Sequence, residues 1–364
     1  MKFAFITTNL RGGGAEKAML KLAALLAGHG HETHLVLLEH RVEHALPSEV
    51  KLSALTRPGK IVGKGFFGKR LLSLRLKCHM ARLAGDTPFN LILSTLPFAD
   101  EVAKLAKLPR LWHRIANTLS AEIEQLAQRS ASKAERRRAK YQRLYAHARL
   151  VAVSDGVAGD LRALGIHAQR IERIYNPFDI EAMRRQAAEP LELTPQSNAP
   201  YLLHMGRFAP QKRHDLLLAA FRSLPPTHRL VLLCHDEPAL QALIAAQGLT
   251  HRVTVAGFCP NPYPWLAGAE LLVLCSDHEG MPNVLLEALL LGTPVVSTDC
   301  PSGPREVLGN GVYGRLVPCG DVAALATAMC ESLSQTHVVH DFDASPFLPE
   351  TIAAQLERLA AETT

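Results

Sequence analysis

Short apolar runs alternate with helical periodicity along most of the chain. Four such runs in the first half predict buried β-strands, at 2–8, 33–38, 91–96 and 150–154. Apolar residues at helical spacing lie between the first two runs, at Ala15, Ala18, Met19, Leu22 and Leu26. This strand, helix, strand order is typical of a parallel α/β sheet, and the glycines at 12–14 stand where such sheets carry a ligand-binding loop.

The alternation lapses over residues 186–200, which read QAAEPLELTPQSNAP and contain three prolines. Five further apolar runs predict a second set of strands, at 201–205, 230–234, 253–256, 271–275 and 294–298. We therefore predict an N-terminal domain over 1–185, a linker over 186–200 and a C-terminal domain over 201–345, each a doubly wound α/β sheet. A final helix over 346–364 is a candidate to return to the N-terminal domain.

Charge divides the chain at the same place. Residues 1–190 contain 31 Lys and Arg against 17 Asp and Glu, whereas residues 191–364 contain 9 against 17. Two stretches concentrate the basic residues: 57–82 has eight and no acidic residue, and 129–149 has eight against Glu135 alone. We expect the N-terminal domain to face a polyanionic surface.

Composition favours a reducing compartment. The 7 cysteines are scattered and form no C-x-x-C pair, a pattern that suits the cytoplasm. No apolar run approaches the ~18 residues that a membrane-spanning helix needs. We predict a cytoplasmic protein and leave open its association with the inner face of the cytoplasmic membrane.

The strongest chemical signal is the block at 276–287, SDHEGMPNVLLE, which follows a predicted strand. Pro282 suits the first turn of a helix and Gly292 its end, so the free amides near Asn283 and Val284 are expected to point into a ligand site. Diphosphate oxygens suit such amides. Glu279 and Glu287 would lie on either side of that anion and accept hydrogen bonds from sugar or ribose hydroxyls.

A second signal, GRFAPQK at 206–212, follows the strand predicted at 201–205. Arg207 and Lys212, five residues apart on one loop, are expected to converge on a diphosphate and to stabilise the charge that grows as it departs. The pair would take the place of a metal ion.

These features resemble glycosyltransferase family 4, the retaining nucleotide-sugar transferases with the GT-B fold of two Rossmann-like domains facing across a cleft. Glu279 and Glu287 resemble the family's paired-glutamate motif, Arg207 and Lys212 its phosphate pair, and the loop at 12–14 its N-terminal glycine loop. The resemblance extends through 151–154, 176–179 and 303–306, and so covers nearly the whole chain.

The resemblance implies roles for the matching positions. Glu287 would bind ribose hydroxyls, and Glu279 would face the transferred sugar. Arg207 and Lys212 would hold the diphosphate, so that neither a metal nor another cofactor is required. The donor site would also include residues of the glycine loop and the helix start, namely Gly13, Gly14, Gly280, Met281, Pro282, Asn283 and Val284.

The resemblance also implies a reaction. A hexose or N-acetylhexosamine would pass, with retention, from a nucleotide-diphosphate sugar to a lipid-linked glycan or a lipopolysaccharide-type acceptor. The block at 279–283 resembles that of transferases using UDP-linked sugars, and UDP is therefore expected. The N-terminal domain would bind the acceptor.

In the first domain the stretch WHRIANT at 112–118 stands where many relatives carry histidine followed by aspartate. Arg114 and Asn117 are the favoured pair facing the reacting sugar, and we count both with the catalytic residues Glu279, Arg207 and Lys212. His113 could take that place instead, or it could be a packed histidine.

Two patterns resemble metal sites. His40 and His44 have i,i+4 spacing, but no acidic or cysteine cluster accompanies them. Asp341-Phe342-Asp343 has the D-x-D spacing of some sugar transferases, but it lies just before a predicted helix, where aspartate is common. We predict no metal site.

The segment 63–84 combines apolar residues with lysines and arginines, which suits an element lying on an anionic membrane leaflet. A solvated helix that packs its leucines inward explains the same pattern. Two other functions remain open: a nucleotide-sugar epimerase or hydrolase of the same fold, and a nucleic-acid-binding protein, suggested by the pI of about 9.0. Since aromatic residues are only 5% of the chain, we expect no nucleic-acid partner.

Overall fold

The computed structural model describes residues 1–11, 14–43, 46–191, 200–334 and 342–362. The chain divides into two compact units, and the first consists of Met1–Pro177 together with Ser345–Thr364. The second unit is Phe178–Ala344. Each unit is an α/β domain built on a parallel sheet.

The sheet of the first unit has seven strands within the described ranges, in the order β3-β2-β1-β4-β5-β6-β7. Their bounds are β1 Lys2–Thr7, β2 Glu32–Leu37, β3 Lys51–Ala54, β4 Leu91–Thr95, β5 Leu111–Ile115, β6 Arg149–Ala152 and β7 Arg170–Arg173. The strand order reverses between β1 and β4, which is where open α/β sheets form a ligand-binding crevice. All six residues of β1 are buried, as the apolar residues at 3–6 predict for a central parallel strand.

The helices of this unit connect successive strands or cover the sheet. They are α1 Gly14–Gly28, α2 Phe66–Ala84, α3 Pro97–Leu105, α4 Leu119–Ala127, α5 Ala131–Tyr145 and α6 Asp155–Ala163, with α14 Pro349–Glu362 at the C-terminal end. Leu72, Leu76 and Met80 of α2 join a core cluster with β1, β2, β4 and α3. Their i,i+4,i+8 spacing makes one buried face of the helix.

The sheet of the second unit has six strands within the described ranges, in the order β10-β9-β8-β11-β12-β13. Their bounds are β8 Tyr201–Met205, β9 Arg229–Leu233, β10 Val253–Val255, β11 Leu271–Leu274, β12 Val295–Thr298 and β13 Arg315–Val317. Here the order reverses between β8 and β11. The carboxyl ends of these two strands therefore flank the expected crevice of this domain.

The helices of the second unit are α7 Ile180–Ala187, α8 His214–Phe221, α9 Pro238–Ala246, α10 Tyr263–Ala267, α11 Asn283–Leu291, α12 Pro304–Val307 and α13 Val322–Ser334. A short 3-10 turn, Pro210–Lys212, precedes α8. A core cluster of mostly aliphatic residues, with Phe221 of α8 among them, includes residues of α8, β9, α9, β11 and α13. Within the described residues no helix is both long enough and apolar enough to cross a membrane.

The division between the units lies before the predicted linker. Helix α7 contacts α10 and α11, and the first unit therefore ends at Pro177 rather than at residue 185. Residues 192–199 of the predicted linker lie outside the described residues. At the other end of the chain, Ser345–Thr364 belongs to the first unit. Oε1 of Glu357 on α14 lies 2.8 Å from Nε2 of His31.

Candidate active site

The loop after β8 places a lysine at the carboxyl end of the second sheet. Gly206 makes a close approach possible here, since a Cβ at this position would lie 3.3 Å from Cδ of Lys212. The 3-10 turn Pro210–Lys212 then aims Lys212 back over the strand end. Arg207 lies on the same loop with an exposed side chain, and among the described residues it has no ion-pair partner.

The loop after β11 is held on both sides by backbone hydrogen bonds. The amide of Asp277 donates to the carbonyl of Gln211 at 2.9 Å, and the amide of Glu279 donates to the carbonyl of Pro301 at 3.3 Å. The hydroxyl of Thr298 donates to the carbonyl of Ser276 at 2.6 Å. These hydrogen bonds fix the loop between the ends of β8 and β12. The backbone of Glu279 is therefore held in place by its own hydrogen bond and by those of the neighbouring residues.

Lys212 and Glu279 form an ion pair at this strand-order reversal. Nζ of Lys212 donates to Oε1 of Glu279 at 2.6 Å. The side chains are 19% and 10% exposed, which leaves both charges partly desolvated and makes the pair sensitive to loss of either partner. The sequence places these residues 67 positions apart, and the fold joins them.

Helix α11 begins where the sequence predicts. Pro282 precedes its first residue, Asn283, and Gly292 ends it with a left-handed φ of 82°, a conformation that favours glycine. Gly303 sits against the loop before this helix, because a Cβ there would overlap Pro282 and lie 3.2 Å from the carbonyl of Gly280. Glycine at 303 therefore allows the 280–282 loop to pack closely.

Glu287 lies half-buried on α11. Burial of Tyr263 on α10, and after it the nearby charge of Glu287, raise the pKa of the Tyr263 phenol above its usual range. Met281 is buried, whereas Asn283 and Val284 in the first turn are half-buried. The side of α11 that carries Glu287 thus faces α10.

Two buried histidines lie beside Lys212. Nδ1 of His204 donates to the carbonyl of Val273 at 2.9 Å, which leaves its Nε2 as an acceptor without a partner. His214 packs edge-on against His204, with ring centroids 4.7 Å apart, and neither of its ring nitrogens has a partner. Burial first, then the neighbouring histidine and lysine charges, lower the pKa of His204 to about 3; burial and Lys212 lower that of His214 to about 4.

In the first unit, His113 and Arg114 point to opposite faces of β5, as neighbours in a strand must. Nδ1 of His113 lies 2.7 Å from Oγ of Ser94, and that hydroxyl donates to Asp100 at 2.5 Å. Tyr145 donates to the other oxygen of Asp100 at 2.8 Å. All four side chains are buried, so His113 belongs to an internal network between β4, α3 and α5.

Arg114 is buried on the other face, and its Nη2 donates to Oδ1 of Asn176. Asn117, which the sequence pairs with Arg114, is exposed, and its Oδ1 accepts from the amide of Thr118 at 3.0 Å. The residue that contacts Arg114 is therefore Asn176, from a motif at 176–179 to which sequence analysis gave no role. Only the fold brings residues 114 and 176 together.

The remaining sequence candidates occupy varied positions. Gly13 lies outside the described residues, and Gly14 is the first residue of α1 with open space beside it. His44 and Asp341 also lie outside the described residues. In the described part of the chain, no cluster of three or more His, Cys, Asp and Glu side chains could hold a metal, and the metal-free site stays a prediction.

Two α/β domains, each built on a parallel sheet, are the architecture of the GT-B glycosyltransferases. Residues 12–182 match the family described as Glycosyltransferase Family 4, and residues 199–335 match that described as Glycosyl transferases group 1. The chain belongs to glycosyltransferase family 4.

Named relatives and solved structures agree with this family. The chain is 27% identical over 321 residues to N-acetylgalactosamine-N,N'-diacetylbacillosaminyl-diphospho-undecaprenol 4-alpha-N-acetylgalactosaminyltransferase of Campylobacter jejuni, covering 87% of this chain and 86% of that protein. It is 31% identical over 183 residues to lipopolysaccharide 1,6-galactosyltransferase of Salmonella typhimurium, covering 47% of this chain and 48% of that protein. The crystal structure of HepE from Anabaena in complex with UDP and glucose matches over 100% of both chains, with a TM-score of 0.78 at 19% identity.

These comparisons identify the chain as an enzyme of the hexosyl or N-acetylhexosaminyl transferase type. They do not favour the alternative of an epimerase or hydrolase. The absence of a nucleic-acid partner stays a prediction.

Proposed function

We propose that this enzyme transfers a hexose or N-acetylhexosamine, with retention, from a UDP-sugar to a lipid-linked glycan or a lipopolysaccharide-type acceptor, without a metal ion. The observation that carries the proposal is the Lys212–Glu279 ion pair at the strand-order reversal of the second sheet. A cation held at this position suits a diphosphate, and a fixed carboxylate beside it suits sugar hydroxyls.

The chemistry needs charge stabilisation more than a protein nucleophile. As the bond between the anomeric carbon and the diphosphate oxygen breaks, negative charge grows on the leaving UDP, and Lys212 and Arg207 would neutralise it. The acceptor oxygen then bonds to the anomeric carbon on the same face, and its proton passes to the leaving phosphate oxygen. Glu279 would orient the sugar, while Glu287 on α11 would hold the ribose.

The named relatives support the choice of substrates. One relative is named for adding N-acetylgalactosamine to a diphospho-undecaprenol glycan, and another is named a lipopolysaccharide galactosyltransferase. The structural neighbour HepE was crystallised with UDP and glucose. The two relatives are named for lipid-borne acceptors, and UDP is bound in the HepE structure, which resembles this chain in fold.

The outer face of α2 supports contact with an anionic membrane. Phe67, Leu71 and Leu74 are 84%, 53% and 62% exposed and follow one another at i,i+4,i+7, opposite the buried face of the helix. Exposed basic residues flank this apolar stripe, with Arg70 and Lys77 on one side and Arg75 and Arg82 on the other. Apolar residues bordered by cations are typical of helices that lie on anionic lipid, and a lipid-linked acceptor would be found there.

A transfer assay tests the proposal. The enzyme is incubated in EDTA with UDP-glucose, UDP-galactose or their N-acetylated forms and with an undecaprenyl-diphosphate-linked saccharide or a lipopolysaccharide core. We expect one donor to yield an elongated acceptor whose new anomeric configuration equals that of the donor. An inverted product, or a strict requirement for a divalent cation, would contradict the mechanism.

A further inference from the structure

Arg114 is a buried guanidinium without a carboxylate. Its side chain is 1% exposed, its Nη2 donates to Asn176, and its Nε has no hydrogen-bond partner. Within the described part of the chain Arg114 has no ion pair. Since a buried cation is unfavourable unless it is paired, Arg114 lacks both a carboxylate to balance its charge and an acceptor for its Nε.

The position of Arg114 in the sheet indicates where the missing partner would lie. Thr95 of β4 pairs in register with Arg114 of β5. Ile6 of β1 pairs with Ser94 of β4, and the next residue of each strand places Thr7 opposite Thr95. In parallel strands, residues in register share a face of the sheet. Thr7, Thr95 and Arg114 therefore form one row at the carboxyl ends of β1, β4 and β5, beside the point where the strand order reverses.

A second polar group in this row also lacks a partner. The hydroxyl of Thr7 is buried and unbonded, whereas the hydroxyl of Thr95 donates to the carbonyl of Arg114 at 3.0 Å. On the opposite face, Ser94 and His113 are satisfied by the Asp100 network. Thr33 and Trp112 also carry buried polar atoms without a partner, but Thr7 and Arg114 are the pair at the carboxyl ends of the strands, where α/β sheets take ligands.

We infer that Arg114, positioned by Asn176 and accompanied by Thr7, is an oxyanion-binding subsite of the first domain that takes a phosphate group of the substrates. A planar guanidinium matches two phosphate oxygens at once. Arg114 is 1% exposed and Asn176 is 7% exposed. Because both side chains are buried, the phosphate must enter the crevice at the ends of the strands to reach them. The assignment to a substrate rests on the proposed function: the phosphate belongs either to the lipid diphosphate of the acceptor or to the donor.

Burial lowers the pKa of Arg114 to about 10. The guanidinium therefore remains charged at neutral pH. The subsite needs no proton uptake to bind an anion.

Titration with inorganic phosphate and pyrophosphate tests the subsite separately from transfer activity. Arg207→Ala and Lys212→Ala are first combined to remove the cations of the second domain. In this background we expect calorimetry to detect pyrophosphate binding that weakens at least tenfold on adding Arg114→Gln. Arg110→Gln is the matched control, because Arg110 precedes β5 at the opposite edge of the sheet; this change should leave binding within twofold. Equal affinities with and without Arg114 would overturn the inference.

Stability separates a binding role from a structural one. If Arg114 serves a ligand, Arg114→Met should melt no lower than the parent without an anion and should lose the rise in melting temperature that pyrophosphate gives the parent. The inference would be overturned if Arg114→Met lost much stability, if Arg114→Lys restored that stability, and if pyrophosphate still stabilised Arg114→Lys as it does the parent. Those results together would show that Arg114 has a structural role.

Steady-state kinetics of Arg114→Lys identify the source of the phosphate. A KM that rises at least tenfold for the lipid-diphosphate acceptor alone assigns the subsite to the acceptor, and a rise for the UDP-sugar alone assigns it to the donor. If both KM values stay within twofold of the parent, the subsite has no substrate and this inference is wrong. Failure to find transfer with any acceptor would count against the proposed function, while the pyrophosphate titration would still decide the subsite.

Discussion

At the residue scale, the chemistry depends on side chains that distant loops bring together. Lys212 and Glu279 meet because Gly206 leaves space for the lysine stem and because the loop after β11 is fixed by its backbone hydrogen bonds. Both residues can be selected from the sequence, since each follows a recognisable strand. Their pairing with each other cannot be predicted in this way, because it depends on the order of strands in the sheet.

Lys212→Ala should lower kcat by about 10²-fold or more, because removal of one donor aimed at developing negative charge typically costs about 3 kcal/mol. Initial rates at saturating donor measure this loss. Arg213→Ala is the control: Arg213 is also a cation and is adjacent, but it is paired with Asp215 and Asp277. The kcat of this variant should therefore remain within about threefold of the parent. Similar losses in the two variants would remove Lys212 from the mechanism.

The buried histidines should make stability fall in mild acid. His204 and His214 have folded pKa values of about 3 and about 4, below the value of about 6.5 expected in an unfolded chain. Between pH 6.5 and 4 the unfolded chain binds protons that the folded chain does not, and the free energy of unfolding therefore falls as pH decreases. Each histidine contributes a slope of up to about 1.4 kcal/mol per pH unit.

Urea denaturation at pH 7.5, 5.5 and 4.5 measures this slope. His214→Phe keeps the aromatic contacts with His204 and Phe208 but removes one titrating group. Its free energy of unfolding should decline less steeply than that of the parent below pH 6.5. Parallel pH profiles for the two proteins would show that His214 is not the cause.

At the element scale, helix α2 combines both interpretations of the segment 63–84. Leu72, Leu76 and Met80 pack inward as in an ordinary solvated helix, while Phe67, Leu71 and Leu74 remain outside. Composition alone could not separate these two sets, because the chain offers apolar residues on opposite faces. Only the core position of α2 decides which face is available to a partner.

Leu74→Ala and Leu76→Ala form a matched pair on this helix. Leu76 is fully buried, and its truncation should cost about 2–5 kcal/mol of unfolding free energy. Leu74→Ala should change stability by no more than about 0.5 kcal/mol and should weaken sedimentation with anionic vesicles, with a larger effect when Phe67→Ala is added. Undiminished vesicle binding by the Leu74 and Phe67 variant would contradict the proposed membrane contact.

Strand prediction succeeded where the apolar signal was strong. The strands β1, β4, β8 and β11 fall within the runs that predict them. The apolar pattern does not predict β3, β7 and β13, because these strands are only three or four residues long and partly exposed. The apolar pattern also fails to predict the central strand β5, because its sequence LWHRI contains the polar residues His113 and Arg114. Both of these side chains are buried in the folded domain.

At the scale of the whole molecule, two doubly wound domains could be predicted from the repeated strand and helix pattern. Their division could not be placed correctly, because Pro-rich composition marks 186–200 whereas the contacts of α7 with α10 and α11 assign it to the second unit. The grouping of Ser345–Thr364 with the first unit is likewise a matter of packing between residues far apart in sequence. Local patterns predict elements, and nonlocal contacts decide domain membership.

The central claim is that Lys212 and its neighbours bind a UDP diphosphate without a metal. The most direct measurement is the melting temperature of the parent, Lys212→Ala and Arg213→Ala proteins with and without UDP in EDTA. Stabilisation by UDP should be clear in the parent and in Arg213→Ala and strongly reduced in Lys212→Ala, since at a fixed ligand concentration a weaker ligand stabilises the folded state less. UDP stabilisation that appears only after magnesium is added, or that is undiminished in Lys212→Ala, would contradict the account.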